Sequence, residues 1–278
     1  MRVSLSAIGI VLALQVQGCA NDGAERAAPA GPSRDETAFA EPQTTPVETD
    51  VAEAPPPEPA TESEASAAPA PARTVLAEHV ENARDLGGVA LQERSKVADG
   101  VLFRGPPLTA LTEAGCAAVA ELGIRSVIDL RVESEVSAKP DDACVLREAQ
   151  LLAAPLPVPY NVSAADYIAV LDASESIVRI FEVLGDEARY PVYFHCTWGR
   201  DRTGILAAVV LLALGATPDA IMEDYLVSDE TVGAFPMSLR AALEEIASRG
   251  GVDAYLAAAG VSPEQLATLR SHAVDAAD

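Results

Sequence analysis

An apolar run at Pro191-Val192-Tyr193-Phe194 and an almost wholly apolar stretch from Gly204 to Leu214 enclose one polar string, His195-Cys196-Thr197-Trp198-Gly199-Arg200-Asp201-Arg202-Thr203-Gly204. The run before it reads as a short central strand, and the stretch after it as a helix buried on most sides. A loop between such elements gathers backbone N–H groups at a helix N-terminus onto one point, which makes an anion site. A cysteine at the head of that loop shares the same dipoles, which favour its thiolate, the nucleophilic form. An arginine six residues on comes round the loop and grips two oxygens of a phosphoryl group as a planar fork, which lysine cannot do. The other cysteines act as a control. Six residues beyond Cys19, Cys116 and Cys144 stand Glu25, Leu122 and Gln150, so Cys196 alone has the arginine.

Around this string the chain alternates strands with helices, which indicates an α/β sheet. Val101–Phe103 and Ser126–Leu130 read as strands. Leu151–Val158 reads as a strand or loop pushed to an edge by Pro155, Pro157 and the Pro159 that follows. Helical spacing covers Leu108–Leu122, ended by Gly123, and a single helix over Tyr167–Leu184. Further helices are expected at 218–227, 238–248 and 263–274, so the C-terminal third reads as purely helical.

The chain has 278 residues and a net charge of −23. Residues 20–73 contribute −8 and residues 74–278 contribute −16, with Arg2 supplying the balance. So acidic a body is repelled by phosphate backbones, which excludes nucleic acid as a partner and counts against a substrate held in an anionic membrane. Residues 1–18 read as a signal peptide, with Arg2 ahead of an apolar stretch too short to span a bilayer. The peptide ends in Val16-Gln17-Gly18-Cys19, which resembles a bacterial lipobox, although Gln17 departs from it. That resemblance implies export and lipidation at Cys19, hence a membrane anchor in the cell envelope. Ala20 directs such a protein to the outer membrane where there are two. An ordinary cleaved signal followed by a chance cysteine is the alternative. Residues 19–73 are rich in proline, alanine and glutamate, bury little, and are expected to form a disordered tether reaching on the order of 40 Å. Residues 74–278 are expected to form one folded domain.

The Cys196 string is similar to the His-Cys-x5-Arg-Ser/Thr-Gly loop of protein-tyrosine phosphatases. Its Asp-Arg-Thr-Gly ending resembles the bacterial tyrosine/dual-specificity group within them. Asn82-Ala83-Arg84-Asp85-Leu86-Gly87-Gly88 matches that group's Asn-x-Arg-Asp-Leu-Gly-Gly signature. Asp129-Leu130-Arg131, followed by Glu133 and Glu135, resembles a third element, and Tyr255-Leu256, Gly260-Val261 and Leu269-Arg270 resemble the group's helical tail. The resemblance runs from about 79 to 274. It implies a phosphatase-like central sheet flanked by helices, with a helical C-terminal part, and an enzyme that hydrolyses phosphorylated proteins or other phosphate esters without cofactor or metal.

Carried over residue by residue, the resemblance makes Cys196 the nucleophile. Thr197, Trp198, Gly199, Arg200, Asp201 and Arg202 become the phosphate cradle. Arg202 binds the equatorial oxygens, Thr203 assists the leaving sulfur, and His195 orients the loop and favours the thiolate. The plain alternative for His195 is a core histidine. Two general acids are on offer: Asp201 inside the loop, and Asp166, about thirty residues before the cysteine, which otherwise caps an exposed helix start. Trp198 narrows the pocket, stacks on an aromatic substrate, or packs at the rim. Arg200 binds a second phosphate or pairs with an acid. Arg84 and Asp85 support the loop, line the pocket or form a turn ending in Gly87-Gly88, while Asp129 and Arg131 read as structural, and His79 and His272 as surface residues. Cys116 and Cys144 read as small buried residues, with a disulfide as the alternative. A phosphoinositide or small phosphate-ester phosphatase, and a phosphate-binding lipoprotein without turnover, compete with the protein-phosphatase reading.

Overall fold

In the computed structural model, which describes residues 76–275, the strands are β1 (Arg84–Asp85), β2 (Lys96–Val97), β3 (Leu102–Gly105), β4 (Ser126–Asp129), β5 (Gln150–Ala153), β6 (Val192–His195) and β7 (Val274–Asp275). The helices are α1 (Glu113–Glu121), α2 (Glu133–Ala138), α3 (Ala143–Leu146), α4 (Ala164–Val170), α5 (Ser174–Leu184), α6 (Asp201–Leu214), α7 (Pro218–Leu226), α8 (Pro236–Ser248), α9 (Val252–Ala259) and α10 (Pro263–Ala273). The signal peptide, Cys19 and the tether lie outside the described residues.

The main sheet has the order β1-β3-β6-β4-β5, with β3, β6, β4 and β5 parallel and β1 antiparallel at one edge. A parallel sheet is covered on both faces, so its strands are apolar on both. Successive residues here divide cleanly between two cores. Phe103, Tyr193 and Val127 stand side by side in register and pack with Val119 and Val145 on the α1/α3 face. Leu102, Val192, Phe194 and Ile128 face the opposite way, into the larger core built on α4 to α10. The same register aligns Gly105, His195, Asp129 and Ala153 at the carboxyl ends of the strands. Ligands bind at that edge of open α/β sheets.

Several expectations need correction. The helix expected at Leu108 begins at Glu113, because Leu108 and Leu111 direct their N–H groups to the carboxylates of Asp141 and Asp142, and Thr112 caps the helix through the Gly115 N–H. The helix expected over Tyr167–Leu184 is two, α4 and α5, broken at Leu171–Ala173 without glycine or proline. The freed Leu171 carbonyl accepts the Tyr255 hydroxyl at 2.9 Å. The C-terminal third is not purely helical, since β7 pairs with β2 in a small second sheet. Cys116 and Cys144 are not separate buried thiols. They are bonded, with Cα atoms 6.0 Å apart, and tie α1 to α3.

Candidate active site

Strand β6 delivers His195 and Cys196 to the sheet edge, and the chain turns at Gly199 before entering α6 at Asp201. The turn requires glycine at 199: φ is +67°, and a Cβ there would sit 2.6 Å from the Pro106 nitrogen and closer still to the Gly105 carbonyl carbon. The loop therefore leans directly on the end of β3. Cys196 is a free thiol, 2% exposed, and Arg202 lies buried in the first turn of α6. Thr203 is fully buried, and its hydroxyl has no hydrogen-bond partner among the described residues.

The loop backbone is held from below by a buried ion network. Asp224 of α7 pairs with both Arg104 of β3 (2.6 Å) and Arg84 of β1 (2.9 Å). Arg104 donates its other nitrogen to the Gly199 carbonyl at 2.9 Å. Arg84 donates to Asn82 Oδ1, and the Asn82 amide donates to the Trp198 carbonyl, each at 2.9 Å. Burial, and then the proximity of Arg84, push Arg104 down to about 10 against the pull of Asp224, which leaves it a cation at neutral pH. Arg84 thus supports the loop, whereas Asp85 forms a turn, accepting the Gly87 and Gly100 N–H groups.

Arg202 is clasped by Glu135 of α2 through two parallel bonds of 2.6 and 2.7 Å, and it also reaches the Leu130 carbonyl. Glu135 further accepts the Thr197 hydroxyl and the Val132 N–H. Burial alone would raise its pKa, but the bonds from Arg202, Thr197 and Val132 outweigh burial and bring it to about 2.

Asp201 is buried. Tyr167 of α4 donates to its Oδ1 at 2.5 Å, and the Arg200 fork takes Oδ1 and Oδ2 at 3.0 Å each. Arg200 also donates to the Val232 carbonyl and lies 4.5 Å over the Phe235 ring, so its guanidinium is committed to Asp201 and the segment before α8. Asp166, the other acid expected, is exposed and engaged by its own helix start. Its carboxylate accepts the Ser163 N–H and hydroxyl, and Ser163 rather than Asp166 is the N-cap. Those bonds, the Ser163 hydroxyl first, lower its pKa.

Behind the thiol, His195 is fully buried. Its Nε2 lies 3.4 Å from Asp141 and its Nδ1 3.9 Å from Asp129, contacts of ion-pair length rather than well-formed hydrogen bonds. Arg131 bridges the two acids, bonding Asp129 twice and Asp141 at 3.0 Å. Its guanidinium occupies the oxygens that an ion would need, so this cluster is neutralised by arginine rather than open to a cation. Trp198 is 59% exposed and lines a cavity of about 270 Å³ with Pro106, Pro107, Lys139 and the exposed His79. His272 is far from the loop in sequence and half-buried, its ring tilted against that of Tyr190.

Sequence reasoning pointed to Arg84 and noted Glu135. It missed Arg104, Asp141, Asp224, Tyr167 and Tyr225, which look like ordinary strand, loop and helix residues in one dimension.

A buried free thiol directly after a central parallel strand, with an arginine six residues on in the first turn of the following helix, marks this α/β domain as one of the cysteine-dependent kind. The chain belongs to the tyrosine phosphatase family, whose model matches residues 75–275. It is 31% identical over 175 residues to a candidate tyrosine-protein phosphatase of Cupriavidus necator, covering 56% of this chain and 63% of that protein. It is 30% identical over 206 residues to the triple specificity protein phosphatase of Mycobacterium tuberculosis, covering 59% of this chain and 71% of that one. Among solved structures, the core catalytic domain of a PP-IP phosphatase from S. cerevisiae aligns with a TM-score of 0.39 at 14% identity, over 62% of this chain and 94% of that one. That likeness is too low to support any statement about this chain.

Proposed function

We propose that this chain hydrolyses phosphate monoesters, phosphotyrosine in proteins first among them and phosphoserine or phosphothreonine also, through a phosphocysteine. The observation that carries this reading is the meeting on one loop of the buried Cys196 thiol and the Arg202 fork, the loop being braced by Arg104 and Asn82 and the fork by Glu135. The Cys196 thiolate attacks phosphorus, the P–O bond to the leaving group breaks, and Asp201 passes its proton to the departing oxygen. Water then attacks the phosphocysteine, Asp201 takes back a proton, the S–P bond breaks, and inorganic phosphate leaves. Arg202 and the loop N–H groups of residues 197–202 carry the equatorial charge in both steps. Thr203 donates its unpartnered hydroxyl to the sulfur as it leaves. His195, with Asp141 behind it, orients the loop. Burial beside the loop favours Asp201 as the acid over the exposed Asp166. The commitment of Arg200 to Asp201 speaks against its serving a second phosphate.

The same reading places residues 1–18 as a cleaved signal peptide, Cys19 as the lipidated anchor, residues 19–73 as a tether, and residues 74–278 as the phosphatase domain at the cell envelope. The Val16–Cys19 resemblance supports it. Full-length wild type and Cys196→Ser are to be compared for phosphate release from a phosphotyrosine peptide, a phosphoserine peptide and a phosphoinositide. Release lost in the variant is the expected result, and the substrate ranking separates protein from lipid ester. Equal release by the variant would overturn the mechanism, and binding without release by wild type would favour a non-catalytic phosphate binder. Cys19→Ser is expected to move the protein from the membrane to the soluble fraction, and an unchanged distribution would remove the anchor.

A further inference from the structure

Three hydroxyl and amide groups outside the catalytic loop converge on Asp201 in a single file. The Phe235 N–H donates to Tyr225 Oη at 3.1 Å, Tyr225 and Tyr167 share a hydrogen bond of 2.8 Å, and Tyr167 Oη reaches Asp201 Oδ1 at 2.5 Å. All three come from different parts of the chain: α4, α7 and the segment leading into α8. Both rings are buried in the core, and a Cβ at Gly204 would fall 2.7 Å from the Tyr225 ring, so glycine is what lets that ring close on α6.

The direction of the file is fixed by its ends. A backbone N–H can only donate, so Tyr225 receives from Phe235 and has its single proton left for Tyr167. Tyr167 in turn has its proton left for Asp201 Oδ1. Oδ1 already accepts two donors, Tyr167 Oη and Arg200 Nε, so both of its lone pairs are engaged. Burial first, then the charge of Asp201, hold the Tyr167 phenol far above its ordinary value, so it remains a donor throughout. Oδ1 is therefore reserved as an acceptor. The transferable proton belongs on Oδ2, which among the described residues accepts only from Arg200 Nη2, at 3.0 Å.

We propose that Tyr167, backed by Tyr225, is a positioning residue that keeps Oδ1 of Asp201 as the fixed end of the carboxyl group and turns Oδ2, the proton-bearing oxygen, to the substrate. This rests on the reading of Asp201 as the general acid. The effect is confined to the proton-transfer step. Losing the Tyr167 hydroxyl leaves the thiolate, Arg202 and the loop amides in place.

The test is leaving-group dependence in the full chain, comparing wild type, Tyr167→Phe, Tyr225→Phe and Asp201→Asn on phenyl phosphate (poor leaving group) and p-nitrophenyl phosphate (better leaving group). A positioned acid is worth on the order of 10²–10⁴-fold. Tyr167→Phe should lose a substantial part of that, about tenfold or more in kcat on phenyl phosphate, with KM within about twofold and a smaller loss on p-nitrophenyl phosphate. Tyr225→Phe should fall in the same direction by less, and it stands in should Tyr167→Phe fail to fold. An equal loss on both substrates, or none, in Tyr167→Phe while Asp201→Asn remains leaving-group dependent would overturn the positioning role alone. If Asp201→Asn itself shows no leaving-group dependence, the assignment of the acid falls and the proposal with it.

Discussion

Glu135→Gln isolates the electrostatic grip on Arg202 at nearly constant volume. The carboxyl of Glu135 moves from 4.5 to about 2, a change worth about 3 kcal/mol at roughly 1.36 kcal/mol per pKa unit. Since 23% of the side chain is open to solvent, screening trims this to about 2 kcal/mol. Because the folded-state value is depressed, the contribution is complete above pH 4.5 and disappears as pH falls toward 2. Wild type should therefore exceed Glu135→Gln by about 2 kcal/mol at pH 7, or about 4–8 °C in Tm for a domain of this size. The gap should close progressively below pH 4.5. Urea denaturation at pH 7, 5, 4 and 3 reads it directly. A gap that stays constant across that range, or is absent at pH 7, would refute the reasoning, because the ion pair would then not be the source of stability.

Asp224→Asn leaves the buried Arg84 and Arg104 without their counter-charge. It should cost about 3–5 kcal/mol in chemical denaturation and disorder the loop. Gly199→Ala forces a Cβ against the end of β3 at a φ that alanine resists. A displacement of about 1 Å would lower kcat/KM by about 10²-fold, measured on a small aryl phosphate. Cys116→Ser opens a link between positions 28 residues apart, which chain-entropy arguments value at up to about 3.5 kcal/mol. Its deficit against wild type should vanish when both are unfolded in reductant.

The three central strands were legible because both of their faces are buried. Short, mostly apolar runs at 126–130 and 191–194 mark two of them, and the register that brings Gly105, His195 and Asp129 level follows from parallel pairing. The candidate site loop was legible because the residue types that mark it are packed into ten consecutive positions. Helix boundaries were less so. The stripe from Ile168 to Leu184 keeps its period across the break at Leu171–Ala173, where a tertiary bond from Tyr255 replaces a helical one. Asp224 carries an acidic side chain on an amphipathic helix, a pattern that ordinarily marks a solvated face, and only folding brings two arginines to it. Tyr167 sits in an apolar stripe, where a tyrosine reads as core. Its exposed neighbour Asp166, one residue back on the same helix, is the more conspicuous acid-bearing position in one dimension.

The bond between Cys116 and Cys144 also bears on the chemistry of a cysteine it never touches. With those two sulfurs joined, Cys196 is the only free thiol among the described residues. A sulfenic acid formed on Cys196 then has no neighbouring cysteine in this domain with which to condense. Recovery from oxidation depends on an external thiol entering a site where the sulfur is 2% exposed. The domain keeps its oxidising equivalents in a structural bond and leaves Cys196 without a second free thiol among the described residues.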